Sequence, residues 1–344
     1  MTDFNIYKNK GLSGLANLGN TCFINSCMQI ISHTYELNIF LDKNKYKNRL
    51  NDKPDSILLV EWDELRKILW NTNCIVSPAK FIRIVQQVSE SKDIDMFTGF
   101  NQNDLPEFLI FVIDCFHTAL SREVNMTING ILENETDKMA VLCFEKIKNL
   151  YSKDYSEIWN MFYGIHVSEL KSIESEEIIS RTVEPYFILN LSLPQDVNEP
   201  SLLDCIDLYV SGETVEGVLN ETTGNKESMR KMLSFWSFPN ILVIDIKRYN
   251  SSNRKKQNMV SFPLTDLDLS KYIIGYNKDS YVYDLYGVCN HSGNVLGGHY
   301  TSFVKNANNK WYHFNDTNVS EVSNPKSIIT PKAYCLFYRK KSSL

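Results

Sequence analysis

The run Gly11 through Ser26, read Gly-Leu-Ser-Gly-Leu-Ala-Asn-Leu-Gly-Asn-Thr-Cys-Phe-Ile-Asn-Ser, constrains this chain more than any other stretch, because it turns a glycine-bearing loop into a helix at a single cysteine. After Cys22 the apolar residues Phe23, Ile24, Cys27, Met28, Ile30 and Ile31 recur at helical spacing with one face to bury. Asn20 or Thr21 is placed to cap the start. A thiol in the first turn lies near unpaired backbone N–H groups and the positive end of the helix dipole. That position predicts a pKa below the free value of about 8.5 and a nucleophilic thiolate. The alternative for any lone cysteine is a small buried side chain, and the rest of the chain decides between them.

A cysteine nucleophile needs a base, and the chain offers His33, His117, His166, His291, His299 and His313. His33 and His117 fall on apolar helical patterns, His166 and His313 fall in aromatic strand-like segments, and His291 falls in a polar turn. His299 differs: Gly297-Gly298-His299-Tyr300-Thr301-Ser302-Phe303-Val304 brings a mobile glycine loop up to a histidine that starts an alternating strand. Downstream, Trp311-Tyr312-His313-Phe314-Asn315-Asp316 ends a second strand in two side chains able to accept an imidazole N–H, which supplies the orienting third member of such sites.

The chain resembles the ubiquitin-specific proteases, papain-like deubiquitinases with a thumb, palm and fingers architecture, from about Gly11 to Tyr338. Gly14 to Ser26 is similar to the family's cysteine box. Tyr283 to Val288, His291-Ser292-Gly293, Gly298-His299-Tyr300 and Phe314-Asn315-Asp316 are similar to its histidine box. Between them, Asn101 to Leu109 resembles the glutamine box, Pro239 to Tyr249 the Leu-Lys-Arg-Phe strand, and Ala333 to Tyr338 the closing strand. The resemblance implies an α+β fold, with a helical thumb and antiparallel palm and fingers, and a deubiquitinating cysteine peptidase acting on ubiquitin and ubiquitinated proteins. It implies Cys22 as nucleophile, His299 as base, Asn315 as the group that orients it with Asp316 in support, and Asn17 as an oxyanion donor beside the Cys22 N–H. Gln102, Asp104, Glu107, Gly298 and Tyr300 become candidate contacts to the substrate tail. Asp104 and Glu107, with Pro106 in the first turn, also have the spacing of a helix capping box. A silent ubiquitin-binding adaptor and a protease for another ubiquitin-like modifier are the competing functions.

A net charge of −5 leaves no basic footprint for nucleic acid or anionic membrane and suits a partner with a basic tail. No apolar run long enough to span a membrane and no secretory leader is read, so an intracellular location is expected; the chain is also expected to be a monomer. Eight cysteines lie singly in apolar segments, without a Cys-x-x-Cys pair, which argues against a disulfide scaffold or a structural zinc. Many of the proteins it resembles carry two such pairs at the fingertip, whereas the matching windows here, Lys171 to Glu177 and Asn220 to Glu227, contain none. Neither a metal nor another cofactor is expected.

Helical spacing is expected over Ser56 to Asn71, Pro78 to Ser91, Pro106 to Leu120, Asp137 to Tyr151 and Ser156 to Phe162, and strands from Ile165 onward, with one helix at Leu202 to Val210. A leader of residues 1–10 would precede one catalytic domain over 11–340, divided into thumb and covering helices (11–164) and fingers and palm (165–344).

Overall fold

The helical half follows its apolar periodicity closely. In the computed structural model, which describes residues 4–43, 45–99, 101–220, 223–250, 252, 254–294 and 297–341, α1 (Cys22–Ser32) is followed by α2 (Tyr35–Asp42), α3 (Asp55–Asn71), α4 (Ala79–Ser91), α5 (Leu105–Leu120), α6 (Glu135–Tyr151) and α7 (Glu157–Phe162). The short strands β1 (Gly14–Leu15) and β2 (Ile75–Val76) pair in parallel just before α1 and α4. The leader is part of this packing, because Tyr7 stacks on Tyr35 at 4.7 Å and meets the edge of Trp70.

Two reciprocal capping boxes form, at Asn134/Asp137 for α6 and Ser201/Asp204 for α8 (Leu202–Val210). The one expected at Asp104/Glu107 does not: Asp104 occupies the N-cap of α5 without a side-chain cap bond. Its carboxylate is recruited by tyrosines from the sheet instead.

The strand half forms two sheets. The fingers are β3 (Gly164–Ser172), β4 (Ile178–Tyr186), β6 (Glu213–Leu219) and β7 (Lys226–Ser237), antiparallel in the order β4-β3-β7-β6. The palm contains β5 (Ile188–Ser192), β8 (Ile241–Lys247), β9 (Leu267–Asp268), β10 (Val282–Asn294), β11 (Gly297–Lys305), β12 (Trp311–Asn315), β13 (Asn318–Val322) and β14 (Ala333–Lys340). Its order is β13-β12-β11-β10-β14-β8-β5, with β9 added to β10 and β5 alone parallel to its neighbour. Strands β8 and β14 are buried along nearly their whole length, because helices cover one side and the cluster of Leu189, Leu202, Ile206, Leu242 and Leu336 fills the other. Hydrophobic runs without alternation are what such doubly covered strands require.

The Lys-Arg-Tyr segment after β8 has a structural use. Arg248 is fully buried and donates to the carbonyls of Ala333 (2.6 Å), Asn258 (2.9 Å) and Lys256 (3.2 Å), closing the end of the palm.

At the fingertip the two cysteine-free windows meet through hydrogen bonds. Ser172 donates to Glu227 Oε2 at 3.1 Å, and the Asn220 amide donates to the other oxygen of the same carboxylate. One carboxylate thus ties two turns together, and among the described residues no group of His, Cys, Asp or Glu could hold a metal ion. Elemental analysis should accordingly find no stoichiometric zinc, and a chelator should leave the melting temperature unchanged.

Asp245, in the middle of β8, is only 9% exposed and its Oδ1 has no partner. Burial, with the charge of Asp104 adding to it, pushes its pKa up to about 7. The unfolded value is about 3.9, so the folded state favours the protonated form, and this group costs stability increasingly as pH rises from about 4 to 7. Asp245→Asn should therefore raise the melting temperature by several degrees at pH 8 and by little at pH 4, as measured by calorimetry.

Candidate functional site

The polar residues of α1 determine what surrounds Cys22. The helix is buried along its whole length, so Asn25 and Gln29 must find partners inside the protein. Gln29 donates to Ser13 O at 2.8 Å, and Asn25 donates to Asp316 Oδ1 at 2.8 Å while lying within reach of Leu15 O and Ala16 O. This pulls the loop before the cysteine and the turn after β12 onto one helix face. Leu15 N donates to Asp316 O at 2.9 Å, and at Gly14 a Cβ would sit 2.4 Å from Thr317 O, so only glycine permits this approach. Asp316 itself is left-handed, with φ 50°.

The cysteine, the histidine and their neighbours converge from four elements. Cys22 opens α1 with its sulfur beside the N–H of Tyr300, the residue that follows His299 on β11. His299 Nε2 is 2.7 Å from Asn315 Oδ1 at the end of β12. Asp316 does not bond His299: its Oδ2 accepts from Asn17 Nδ2 at 3.0 Å, and its Oδ1 accepts from Asn25. The Asn17 carbonyl oxygen accepts from Gly19 N (3.1 Å), Thr21 N (3.2 Å) and Thr21 Oγ1 (3.3 Å). Four hydrogen bonds therefore hold the Asn17 amide, and one Nδ2 hydrogen is left to turn toward an oxyanion. Thr21 is the N-cap residue but makes no cap bond, its hydroxyl being committed to Asn17 and Leu18 N.

The thiol departs from the sequence expectation. Burial pushes its pKa above the ordinary value; the N–H groups of Tyr300, Phe23 and Cys22 oppose this, and the Asp316 charge reinforces it. Desolvation outweighs the helix terminus because Cys22 is only 3% exposed. Cys22 therefore rests as a thiol, and to act as a nucleophile it would need a base to deprotonate it.

The loop residues make a second cluster beside the first. Gly298 N donates to Gln102 Oε1 at 2.6 Å and Gln102 Nε2 donates back to Gly298 O at 3.0 Å, so the side-chain amide acts like a short strand laid against β11. Gln102 Nε2 also reaches Asn20 Oδ1 at 3.4 Å. Gly293, Gly297 and Gly298 are not an open loop: Gly293 pairs with Gly298 and Asn294 with Gly297 in the β10–β11 hairpin. Residues 295–296 of the expected mobile segment lie outside the described residues.

Asp104 accepts from Tyr300 OH at 3.0 Å and Tyr334 OH at 3.2 Å, and burial raises its pKa. It borders a cavity of about 150 Å³ between Gln102, Tyr249, His291, Tyr300 and Tyr334. Glu107 is exposed nearby, its pKa raised by partial burial and by Asp104. A carboxylate at the foot of an open aromatic cavity is suited to a cationic side chain.

Sequence reasoning passed over three members of this region. His291 is not in a polar turn but buried in β10, its ring 4.6 Å from that of Tyr300. Tyr334 and Asn25 were likewise unassigned; for Asn25 a signal exists, a polar residue on the apolar side of a buried helix.

The ubiquitin carboxyl-terminal hydrolase family profile matches residues 13–338. The chain is 34% identical over 342 residues to ubiquitin carboxyl-terminal hydrolase Usp2 of Drosophila melanogaster, covering 97% of this chain and 35% of that protein. It is 33% identical over 350 residues to ubiquitin carboxyl-terminal hydrolase 2 of Homo sapiens, covering 97% and 56%. The chain thus spans about a third to a little over half of the length of these relatives. Among solved structures it is similar to the SAGA DUB module Ubp8/Sgf11/Sus1/Sgf73 bound to monoubiquitin, with TM-score 0.74, 22% identity and coverage of 98% of this chain and 71% of that one. The same module bound to ubiquitin aldehyde matches with TM-score 0.73 at the same identity and coverage.

Because the Asp316 charge disfavours the thiolate, Asp316→Asn should move the midpoint of Cys22 alkylation by iodoacetamide to lower pH, which a pH series of alkylation rates measures. Asparagine tolerates the left-handed backbone there and its oxygen can still accept from one of Asn17 and Asn25, so the shift should appear in a folded protein of lower melting temperature.

Proposed function

Because the chain belongs to the ubiquitin carboxyl-terminal hydrolase family, we propose that it is a thiol peptidase hydrolysing the isopeptide or peptide bond after the C-terminal glycine of ubiquitin. The observation that carries this reading is the convergence of Cys22, the His299–Asn315 pair and the Asn17 amide on one cleft whose next compartment is the Asp104 cavity.

In this reading His299 takes the Cys22 proton as the sulfur attacks the glycine carbonyl carbon. The carbonyl oxygen becomes an oxyanion held by Asn17 Nδ2 and the Cys22 N–H. Collapse of the tetrahedral adduct breaks the C–N bond, and His299 returns the proton to the leaving amine. Water, deprotonated by His299, then attacks the thioester and regenerates the thiol. Asn315 fixes the ring by accepting its N–H. The neutral amide adds no charge to the imidazolium, and Asp316 spends its charge on Asn17 and Asn25.

Asp104, with Glu107 in support, would receive a basic side chain of the ubiquitin tail. Gln102 and Gly298 would form the narrow passage for its last two glycines. Every reacting position carries a competent group, which disfavours a silent adaptor; a protease for another ubiquitin-like modifier would need the same site. An intracellular location is supported by eight free thiols, and no helix of the described residues is long and apolar enough to cross a membrane. We take the chain to act as a monomer.

Electrophilic probes built on ubiquitin and on ubiquitin-like modifiers should react with the wild type at Cys22, the ubiquitin probe fastest, whereas Cys22→Ala should bind ubiquitin without reacting. Labelling that survives in Cys22→Ala refutes the assignment, and preference for another modifier's probe selects the competing substrate. Asp104→Asn removes a charged hydrogen-bond acceptor worth about 1.5–3 kcal/mol. It should raise KM for a fluorogenic ubiquitin substrate by about tenfold or more, with a small change in kcat and melting temperature.

A further inference from the structure

The hairpin that carries His299 projects past the sheet that anchors it. On one side, β10 pairs with β14 only as far as Asn290↔Ala333. On the other, β11 pairs with β12 only from Ser302↔Phe314 onward. Residues 291–294 and 297–301 are thus held mainly to each other, His291 opposite Tyr300 and Ser292 opposite His299, with His291 N also donating to Lys332 O at 2.9 Å. The tip is tethered by Gln102 on Gly298, by Asn315 on His299 and by Asp104 on Tyr300.

A side-chain tether at the base of this segment is Lys255. Its segment returns to Tyr249 through an isolated bridge, and its ammonium donates to His291 O at 2.6 Å and to His291 Nδ1 at 2.9 Å. Tyr249 OH lies 3.4 Å from the same ring nitrogen, and its ring lies 5.9 Å from Lys255 Nζ. With Nδ1 an acceptor, the neutral His291 ring carries its proton on Nε2. That atom lies directly under Gly298, where an added Cβ would be 2.3 Å from it. The chain of contact runs from Lys255 through His291 to the peptide that Gln102 grips, and so to His299.

We infer that Lys255 is a positioning residue: its ammonium holds His291, and through it the β10–β11 hairpin, in the register that brings His299 to Cys22. This rests on the peptidase reading above. The charge is sensitive to pH. Lys255 makes no ion pair among the described residues, and the charged groups facing it are Arg248 and Lys332, with His291 and Tyr249 as titratable neighbours. Burial, then Arg248 and Lys332, lower its pKa to about 8. Burial and Lys255 lower His291 to about 4, so the ring stays neutral throughout.

Turnover should therefore decline as pH rises through about 8, because the amine grips His291 less strongly than the ammonium. Stability should move the other way. A lysine depressed from about 10.4 in the unfolded chain penalises the folded state below its folded pKa, and that penalty fades between about pH 8 and 10.

The test is the pH profile of kcat and KM with a fluorogenic ubiquitin substrate for wild type, Lys255→Met and Lys255→Arg, with melting temperatures over the same range. We expect Lys255→Met to lose about tenfold in kcat at pH 7, the scale of a small misplacement of a reacting group, and to lack the step near pH 8. Lys255→Arg should recover most of kcat and stay active to higher pH. A Met variant with wild-type kcat and an unchanged alkaline limb overturns the proposal. So does an Arg variant that folds but keeps the wild-type limb. If the wild type itself does not turn over ubiquitin, the peptidase reading has failed; Lys255 is then tested by Cys22 alkylation, whose pH profile should change in Lys255→Met, and an unchanged profile overturns its role.

Discussion

Everything around the reactive cysteine depends on the burial of α1 with polar groups on it. A helix enclosed on all sides is ordinarily apolar throughout. Here the side-chain N–H groups of Asn25 and Gln29 donate to Ser13 O, the backbone near Leu15 and the Asp316 carboxylate, while their side-chain oxygens are buried without a partner. Buried amides left unpaired cost on the order of 1–3 kcal/mol each. The helix therefore enforces the position of the loop that precedes the cysteine and of the turn that follows Asn315, elements about 290 residues apart in sequence.

The same burial creates the chemical problem that the site answers. Enclosing Cys22 raises its pKa against the pull of three N–H groups, and in the proposed mechanism His299 supplies the base that the thiol lacks. Two adjacent acceptors, Asn315 and Asp316, divide the support between them. The neutral amide holds the imidazole, while the charged carboxylate is kept off the histidine and spent on orienting Asn17. In the proposed mechanism this directs electrostatic help at the position where negative charge would develop, which in acyl transfer usually contributes most to the rate.

The cleft next to it is assembled from both halves of the molecule. Asp104 comes from the helical half and its two tyrosine donors come from β11 and β14. A carboxylate that would otherwise cap α5 becomes a bridge across the interface. The fingers are joined by comparable means, one glutamate binding two turns.

The sequence alone determined most of the elements and pointed to Cys22 and His299 as the candidate pair. Apolar periodicity located the longer helices and α7 and α8 to within a residue or two, because their buried faces repeat at the helical period, but it missed α2 (Tyr35–Asp42). Cys22, His299 and Asn315 stood out as candidates because each sits where a loop meets a regular element, and the structure pairs His299 with Asn315 as that reading expected. What only tertiary structure decided involves partners distant in the chain: the desolvation that reverses the expected shift at Cys22, the loss of the Asp104 cap to Tyr300 and Tyr334, the assignment of Asp316 to Asn17, and the enclosure of His291 in a strand. Local pattern reveals which face of an element is apolar, but not which polar group from elsewhere will be brought against that face. Burial and hydrogen-bond competition are settled only when the two halves close on each other.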